Sequence, residues 1–312
     1  MAVSADQSVY CQSDILSENI DEIGGKSLYP DSITEKSRKF PIKMTVFLAS
    51  GLEVEERTDM LKDKIIIVTG GASGIGRAAA NLFAQDGARV MIADRSADAG
   101  AAAAEAICAD GGEAAFVACD VADDESVAAM VAATVAHFGG LDGAFNNAGI
   151  EFASKIVPDL SYAEWRRVID INLNGVFLCM KHEIAQMRRT GGGAIVNTAS
   201  GAAVAASPNM AEYATSKAGV TGLTRAASCE FGETQVRVNA VLPGLILTPM
   251  TEERLFNDAG FAAALEPLLV RHSVGRFGQP DDVAQAARWL LSDLCPFVNG
   301  ISLPVDGGLL AR

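Results

Sequence analysis

Residues 65–76 read Ile-Ile-Ile-Val-Thr-Gly-Gly-Ala-Ser-Gly-Ile-Gly. An apolar β-branched run followed at once by a glycine-rich turn is typical of a first strand that leads into a dinucleotide-binding helix. Glycines let the backbone turn tightly and approach a pyrophosphate, whose charge the amides of the helix N-terminus can meet. This pattern predicts cofactor contacts at Gly70, Ser73, Gly74, Ile75 and Gly76.

From this turn onward, short β-rich runs alternate with alanine-rich helical stretches. The pattern predicts strands at 65–69, 88–94, 114–119, 143–146, 193–198, 236–242 and 300–304. It predicts helices at 77–85, 97–110, 126–138, 162–189, 211–231 and 281–290. Parallel strands need helical crossovers, so the series indicates an α/β fold: a single Rossmann-like, doubly wound parallel sheet with helices on both faces.

The sequence divides into an N-terminal extension, residues 1–60, and one α/β domain, residues 61–312. The extension is rich in Ser, Asp, Glu and Lys and lacks sustained periodicity, so we expect it to be disordered. Met60 begins Met-Leu-Lys-Asp-Lys just before the first predicted strand. An alternative is therefore that translation starts at Met60 and that the extension is an artefact of the gene model.

Composition excludes several classes of function. The 312 residues carry a formal net charge of −14, which argues against a nucleic-acid or anionic-membrane partner. The apolar patch at 44–49 is too short to span a bilayer and too deep in the chain for a signal peptide, so we expect a cytoplasmic protein. The cysteines and histidines lack metal-ligand spacing, and no metal site is expected.

Asp94 ends the second predicted strand, about twenty residues after the glycine turn. A carboxylate at this point can accept hydrogen bonds from the adenosine ribose hydroxyls and repels a 2′-phosphate. The sequence therefore predicts NAD as the cofactor in preference to NADP. Arg95 is the opposing feature, because a neighbouring guanidinium can tolerate a phosphate.

Tyr213 and Lys217 stand four residues apart in Tyr-Ala-Thr-Ser-Lys, within a predicted helix. This spacing places a phenol and an ammonium group on the same side of the helix. A nearby positive charge favours the phenolate, so the pair predicts a tyrosine whose pKa is lowered toward working pH.

With these motifs in place, residues 61–312 resemble a short-chain dehydrogenase/reductase. The glycine turn matches the family's Thr-Gly-x-x-x-Gly-x-Gly, Asn146-Asn147-Ala148-Gly149 matches its Asn-Asn-Ala-Gly, and Tyr213 with Lys217 matches its Tyr-x-x-x-Lys. Asn172 in Asn-Leu-Asn-Gly and Ser200, thirteen residues before the tyrosine, occupy the other two positions of the family's catalytic tetrad.

The resemblance implies a role for each matching residue. Tyr213 would be the general acid/base, Lys217 would bind the nicotinamide ribose and lower the tyrosine pKa, Ser200 would polarise the substrate oxygen, and Asn172 would position a water between Lys217 and solvent. The remaining positions implied to contact the cofactor are Asp120 and Val121 at the adenine, Asn147, and Pro243, Gly244, Ile246 and Thr248 at the nicotinamide. The family commonly forms tetramers, so a homo-oligomer is expected.

Residues 249–273 lack strand character and read as an insertion that covers a small-molecule substrate. Its apolar side chains indicate a hydrophobic or alicyclic secondary alcohol, a diol or a hydroxysteroid. The same side chains could instead pack in the core or at an oligomer interface.

Two other functions stay open at this point. One is a 3-oxoacyl-carrier-protein reductase, although such enzymes often carry an arginine in the glycine turn, where this chain has Ser73, and an acidic carrier favours a basic surface. The other is a dinucleotide-binding regulator without catalysis, because a fold alone never proves activity.

Overall fold

The computed structural model describes residues 59–249, 251–252 and 269–311. The predicted extension, including the patch at 44–49, lies almost wholly outside the described residues. So does most of the predicted insertion, of which the two ends, 249 with 251–252 and 269–273, are described.

Seven strands form one sheet in which every neighbouring pair is parallel, in the order β3-β2-β1-β4-β5-β6-β7. The strands are β1 (Ile65–Thr69), β2 (Arg89–Asp94), β3 (Glu113–Ala118), β4 (Gly143–Asn146), β5 (Gly193–Thr198), β6 (Val236–Pro243) and β7 (Ser302–Val305). The fold class predicted from the sequence is confirmed, and each predicted strand bound lies within two residues of the observed one.

Helices cover both faces of this sheet: α1 (Gly74–Gln85), α2 (Ala97–Ala109), α3 (Asp124–Phe138), α4 (Tyr162–Ile169), α5 (Gly175–Thr190), α6 (Ala211–Phe231) and α7 (Pro280–Leu291). Side chains alternate along a strand, so β1 feeds two cores. Ile65 and Ile67 pack with α3, α5 and α6, whereas Ile66 and Val68 pack with α1, α2 and α7. This two-sided burial explains the unbroken apolar run of β1.

The long helix predicted at 162–189 is wrong as a single α-helix. A π-helical turn, Asp170–Asn174, separates α4 from α5. Such a turn inserts one residue into the hydrogen-bond ladder, and the apolar periodicity on either side of it does not reveal the insertion. The turn presents Asn172, which is fully buried, toward the loop that follows β4.

The strand order reverses between β1 and β4. The strands that follow β1 in sequence extend the sheet in one direction as far as β3, and the strands from β4 onward extend it in the other. In open parallel sheets, ligands bind at the carboxyl ends of the strands beside such a switch point. Thr69 at the end of β1 pairs with Ala93 of β2 and with Asn146 of β4, so these ends lie at one edge. Within the described residues, no helix is both long and apolar enough to cross a membrane.

Candidate active site

A pocket of about 1110 Å³ opens at the carboxyl edge of the sheet. Its wall contains most of the residues that the sequence predicted for the site: Gly70, Ser73, Gly74, Ile75, Asp94, Arg95, Asp120, Val121, Asn147, Ser200, Tyr213, Lys217, Pro243, Gly244, Ile246 and Thr248. Gly76 and Asn172 lie just behind the wall rather than in it. We refer to residues 70–76, 94–95 and 120–121 as the glycine end, and to residues 150–154, 207–213 and 309–310 as the tyrosine end.

At the glycine end, the backbone approaches itself so closely that side chains are excluded. Gly70 has φ +66° and Gly74 has φ +53°, both in the left-handed region. A Cβ at Gly70 would lie 2.9 Å from the Cα of Ala148, and a Cβ at Gly76 would overlap the carbonyl oxygen of Gly70. The turn thus presents a smooth backbone surface in front of the N-terminus of α1, which suits the pyrophosphate of a dinucleotide.

Asp94 lies in the pocket wall, and its carboxylate is fixed by two backbone amides. Oδ2 accepts from the amide of Ala72 at 3.1 Å, and Oδ1 accepts from the amide of Ser96 at 3.0 Å. The neighbouring Arg95 points toward Asp120, with Nε 3.8 Å from its carboxylate. Asp94 and Asp120 thus both line this part of the pocket, and the Arg95 guanidinium faces the Asp120 carboxylate.

Asn147 ties the end of β4 to the glycine turn. Its Nδ2 donates to the carbonyl oxygens of Thr69 and Gly70, at 3.3 and 3.5 Å. The hydroxyl of Thr69 accepts from the amides of both Asn147 and Ala148, at 3.0 and 3.1 Å. One hydroxyl thus holds two successive amides and fixes the distance between β1 and the loop after β4.

Tyr213 and Lys217 share one side of α6. Nζ of Lys217 lies 5.7 Å from the centre of the tyrosine ring and donates to the carbonyl oxygen of Thr198 at 2.8 Å. Burial lowers the pKa of Lys217 from 10.5 to about 8. An amine of this pKa can gain and release a proton near neutral pH.

The hydroxyl of Tyr213 forms a hydrogen bond with Ser200. Burial raises the pKa of the tyrosine above its usual 10, the hydrogen bond with Ser200 opposes that rise, and the carboxylate of Glu151 adds to it. The sequence-based expectation was a pKa lowered by Lys217. In the structure the tyrosine pKa is raised instead, because desolvation and the Glu151 carboxylate raise it by more than Ser200 lowers it. The Lys217 amine lies over the face of the tyrosine ring.

The side chain of Asn172 pairs with both backbone groups of Ile150. Oδ1 accepts from the Ile150 amide at 2.8 Å and Nδ2 donates to the Ile150 carbonyl at 2.9 Å. Gly149 lies between Asn172 and Lys217, since a Cβ built on it would be 3.2 Å from Asn172 Oδ1 and 3.5 Å from Lys217 Nζ. The side chain of Asn172 therefore fixes the part of the pocket wall that lies beside Lys217.

The segment after β6 returns to the glycine turn. Leu247 donates its amide to the carbonyl oxygen of Gly278 at 2.8 Å, and Ile246 pairs with Gly278 as an isolated bridge. A Cβ at Gly74 would touch Thr248 Cγ2 at 3.5 Å. The predicted contacts Pro243, Gly244, Ile246 and Thr248 therefore close the pocket between its two ends.

The tyrosine end contains residues that the sequence did not single out. The ring of Phe152 lies 5.7 Å from the ring of Tyr213, and Glu151, Ser154 and Met210 are also in the wall. No motif marks them. A positional signal exists for Glu151, Phe152 and Ser154, because they follow the Asn-Asn-Ala-Gly motif at the carboxyl end of β4, where ligands of parallel sheets bind.

A family model described as enoyl-(acyl carrier protein) reductase matches residues 70–310. Over 253 residues, the chain is 49% identical to 2,5-dichloro-2,5-cyclohexadiene-1,4-diol dehydrogenase of Sphingobium indicum, a match that covers 80% of this chain and 98% of that protein. This chain is a short-chain dehydrogenase/reductase.

Two further comparisons agree with this family. The cyclohexanol dehydrogenase of an Acinetobacter species is 41% identical over 255 residues, which are 82% of this chain and 98% of that enzyme. The crystal structure of levodione reductase superposes with a TM-score of 0.77 at 37% identity, covering 80% of this chain and 99% of that one. The chain is thus an oxidoreductase that uses a nicotinamide dinucleotide to interconvert a secondary alcohol and a ketone.

Proposed function

We propose that this short-chain dehydrogenase/reductase uses NAD to oxidise a hydroxyl group on an alicyclic ring, an apolar cyclic alcohol or diol, with Tyr213 as the acid/base. The observation that carries the proposal is that Ser200, Tyr213 and Lys217 line one pocket, with Nζ of Lys217 5.7 Å from the centre of the Tyr213 ring. The names of the similar enzymes, which act on a cyclohexadiene diol and on cyclohexanol, support a ring-shaped substrate.

The side chains around the Tyr213–Ser200 pair favour an apolar ring. Phe152 and Met210 line the wall, and a Cβ at Gly201 would lie 3.9 Å from Leu309 and 4.0 Å from Leu310. Such side chains contact the faces of a hydrocarbon ring, whereas the two hydroxyls bond its oxygen. We include in this class diols and hydroxysteroids, which share an apolar ring with a secondary hydroxyl.

In the proposed mechanism, Ser200 hydrogen-bonds the substrate oxygen. During oxidation Tyr213 gives up its own proton and takes that of the substrate hydroxyl, and during reduction it donates a proton to the substrate oxygen. Lys217 holds the proton that this exchange requires and passes it onward, which its pKa of about 8 permits. Asn172 keeps Ile150 and the adjoining wall in place, and its water-positioning role stays a prediction. The bound nicotinamide supplies the hydride acceptor or donor.

The choice of NAD rests on Asp94 and on the ion pair between Arg95 and Asp120. An added 2′-phosphate would meet the Asp94 carboxylate, while Arg95 already faces a carboxylate of its own. We also propose, from the family resemblance, a cytoplasmic homo-oligomer, most simply a tetramer, and a catalytic unit that spans residues 61–312.

The test is turnover of a panel of cyclic alcohols, diols, hydroxysteroids and linear alcohols with NAD⁺ and NADP⁺. We expect kcat/KM to be highest for cyclic alcohols with NAD⁺, and Asp94→Ser to lower the NAD⁺-to-NADP⁺ ratio about ten-fold or more. Preference for a 3-oxoacyl thioester would favour the carrier-protein alternative, and NADH binding without any turnover would favour the regulator.

A further inference from the structure

The loop that follows β4, residues 150–154, forms much of the tyrosine end. It adopts no regular helix or strand, and Ser154 has φ +59°, in the left-handed region. A loop of this kind needs external contacts to hold a single conformation. Its position matters, because it carries Glu151 and Phe152, which lie beside Tyr213.

Two buried side chains hold the backbone of this loop at its two ends. Asn172 pairs with the amide and carbonyl of Ile150 at 2.8 and 2.9 Å. Three residues further on, Oε1 of Glu212 accepts from the amide of Ala153 at 2.7 Å. Glu151 and Phe152 lie between these two hydrogen-bonded positions, Ile150 and Ala153.

Glu212 is a costly residue at its position. It is fully buried, and its Oε2 has no hydrogen-bond partner within the described part of the chain. Burying a carboxylate is unfavourable unless strong hydrogen bonds compensate it. Two features do so: the short bond from Ala153, and the N-terminus of α6, where Glu212 lies in the first turn. Packing alone would be satisfied by an apolar side chain of the same size.

Glu212 also directly precedes Tyr213 in the chain. The same first turn of α6 therefore fixes the phenol on one side and, through Ala153, the loop with Phe152 on the other. The two aromatic rings are held at 5.7 Å by one short piece of helix. The glycine end, by contrast, is built on β1, β2 and α1.

We propose that Glu212 is a positioning residue that sets Phe152 against Tyr213 and so determines how tightly the enzyme binds the ring of its substrate. The proposal rests on the proposed function of the same pocket. Glu212 does not line the pocket, and its effect is transmitted through the Ala153 amide. Substrate binding depends on this bond, whereas NADH binding does not.

Two variants separate the hydrogen bond from packing. Glu212→Gln keeps an acceptor oxygen for the Ala153 amide, and Glu212→Met keeps the volume but removes the acceptor. Kinetics with a cyclic alcohol should show KM about ten-fold higher or more in Glu212→Met, since a charge-assisted bond is lost. Glu212→Gln should stay within about three-fold of the natural enzyme, and the Kd for NADH should be unchanged in both.

Asp142→Leu is the control for the loss of a carboxylate that accepts from a backbone amide. Asp142 Oδ2 also accepts from a backbone amide, that of Ile65 at 2.8 Å, but at the opposite edge of the sheet. Its loss should leave KM unchanged even if the protein becomes less stable.

Hydrogen exchange of the peptide covering residues 150–155 provides a readout that needs no turnover. Exchange should be faster in Glu212→Met and unchanged in Glu212→Gln. Unaltered exchange and KM in Glu212→Met would overturn the proposal, as would an equal loss of NADH binding. A protein with faster exchange that oxidises no cyclic alcohol would instead contradict the proposed function and leave the loop anchor standing.

Discussion

Within the glycine turn, residues 70–76, the pocket wall is largely backbone, whereas at the tyrosine end it consists of side chains from separate segments. Gly70 and Gly76 leave no room for a Cβ. Phe152, Met210 and Leu310, in contrast, come from three separate segments of the chain, and all three line the pocket. A backbone wall fits one unchanging partner, and a side-chain wall can be altered by single substitutions.

The largest effect expected at the tyrosine end alone is that of Tyr213→Phe. Deletion of the hydroxyl removes the proton acceptor and its bond to Ser200, so kcat should fall about 10²- to 10⁴-fold. Steady-state kinetics measures the loss, and fluorescence titration should give an unchanged Kd for NADH. Turnover near the natural level would contradict the proposed role.

Gly76→Ala is expected to weaken the binding of NADH, which Tyr213→Phe leaves unchanged. The new Cβ would overlap the Gly70 carbonyl, so the turn must shift; NADH binding should weaken about ten- to hundred-fold and the free energy of unfolding should fall by about 1–3 kcal/mol. Gly222→Ala is the control, because a Cβ there meets nothing within 4 Å. If both variants bound NADH equally well, the rigidity attributed to the glycine end would be wrong.

Phe152→Ala tests whether the side chains of the tyrosine end affect the binding of the substrate and not that of NADH. Loss of the ring beside Tyr213 should raise KM for a cyclic alcohol about ten-fold, with little change in the Kd for NADH. Phe152→Leu, which retains an apolar surface, should recover most of the affinity. Equal weakening of alcohol and NADH binding would show that the two ends are coupled.

Lys217 lies between the two ends and gives the smallest expected effect, one on stability. Below pH 8 the amine is charged in both the folded and unfolded states, and the folded state bears the cost of burying it. Between about pH 8 and 10.5 the folded state has lost the proton that the unfolded state keeps, so this residue makes the free energy of unfolding rise with pH.

Lys217→Met carries no charge to bury. Urea unfolding of both proteins at pH 7, 8, 9 and 10 should therefore show the variant's stability, relative to the natural enzyme, declining across that window. A difference that stays constant with pH would contradict the lowered pKa of Lys217.

The same contrast explains which parts of the site could be predicted from sequence. The glycine turn, Asp94 and the Tyr213–Lys217 pair recur at fixed spacing because strands and one helix impose their geometry. Phe152 and Glu151 could not be identified, because a loop's side chains have no periodicity and meet Tyr213 only through the tertiary fold. Glu212 carries no sequence signal, because a glutamate at the start of a helix is usually exposed, whereas this one is fully buried.

The fold itself was largely predictable, since buried parallel strands need long apolar runs and β1 has one. The direction of the Tyr213 pKa was not, because it depends on burial and on Glu151, a residue sixty-two positions away in sequence. Spacing along a helix identifies partners but does not measure desolvation.

The π-helical turn at Asp170–Asn174 has a consequence for how this enzyme can vary. Such a turn accommodates one additional residue locally, within the i→i+5 hydrogen bonds of a single turn. Removing one residue here would allow α4 and α5 to form one continuous α-helix, and it would change the direction of the Asn172 side chain, whose bonds to Ile150 would then be lost. The number of residues between α4 and α5 is therefore as important for the geometry of the active site as the identity of any residue in that segment.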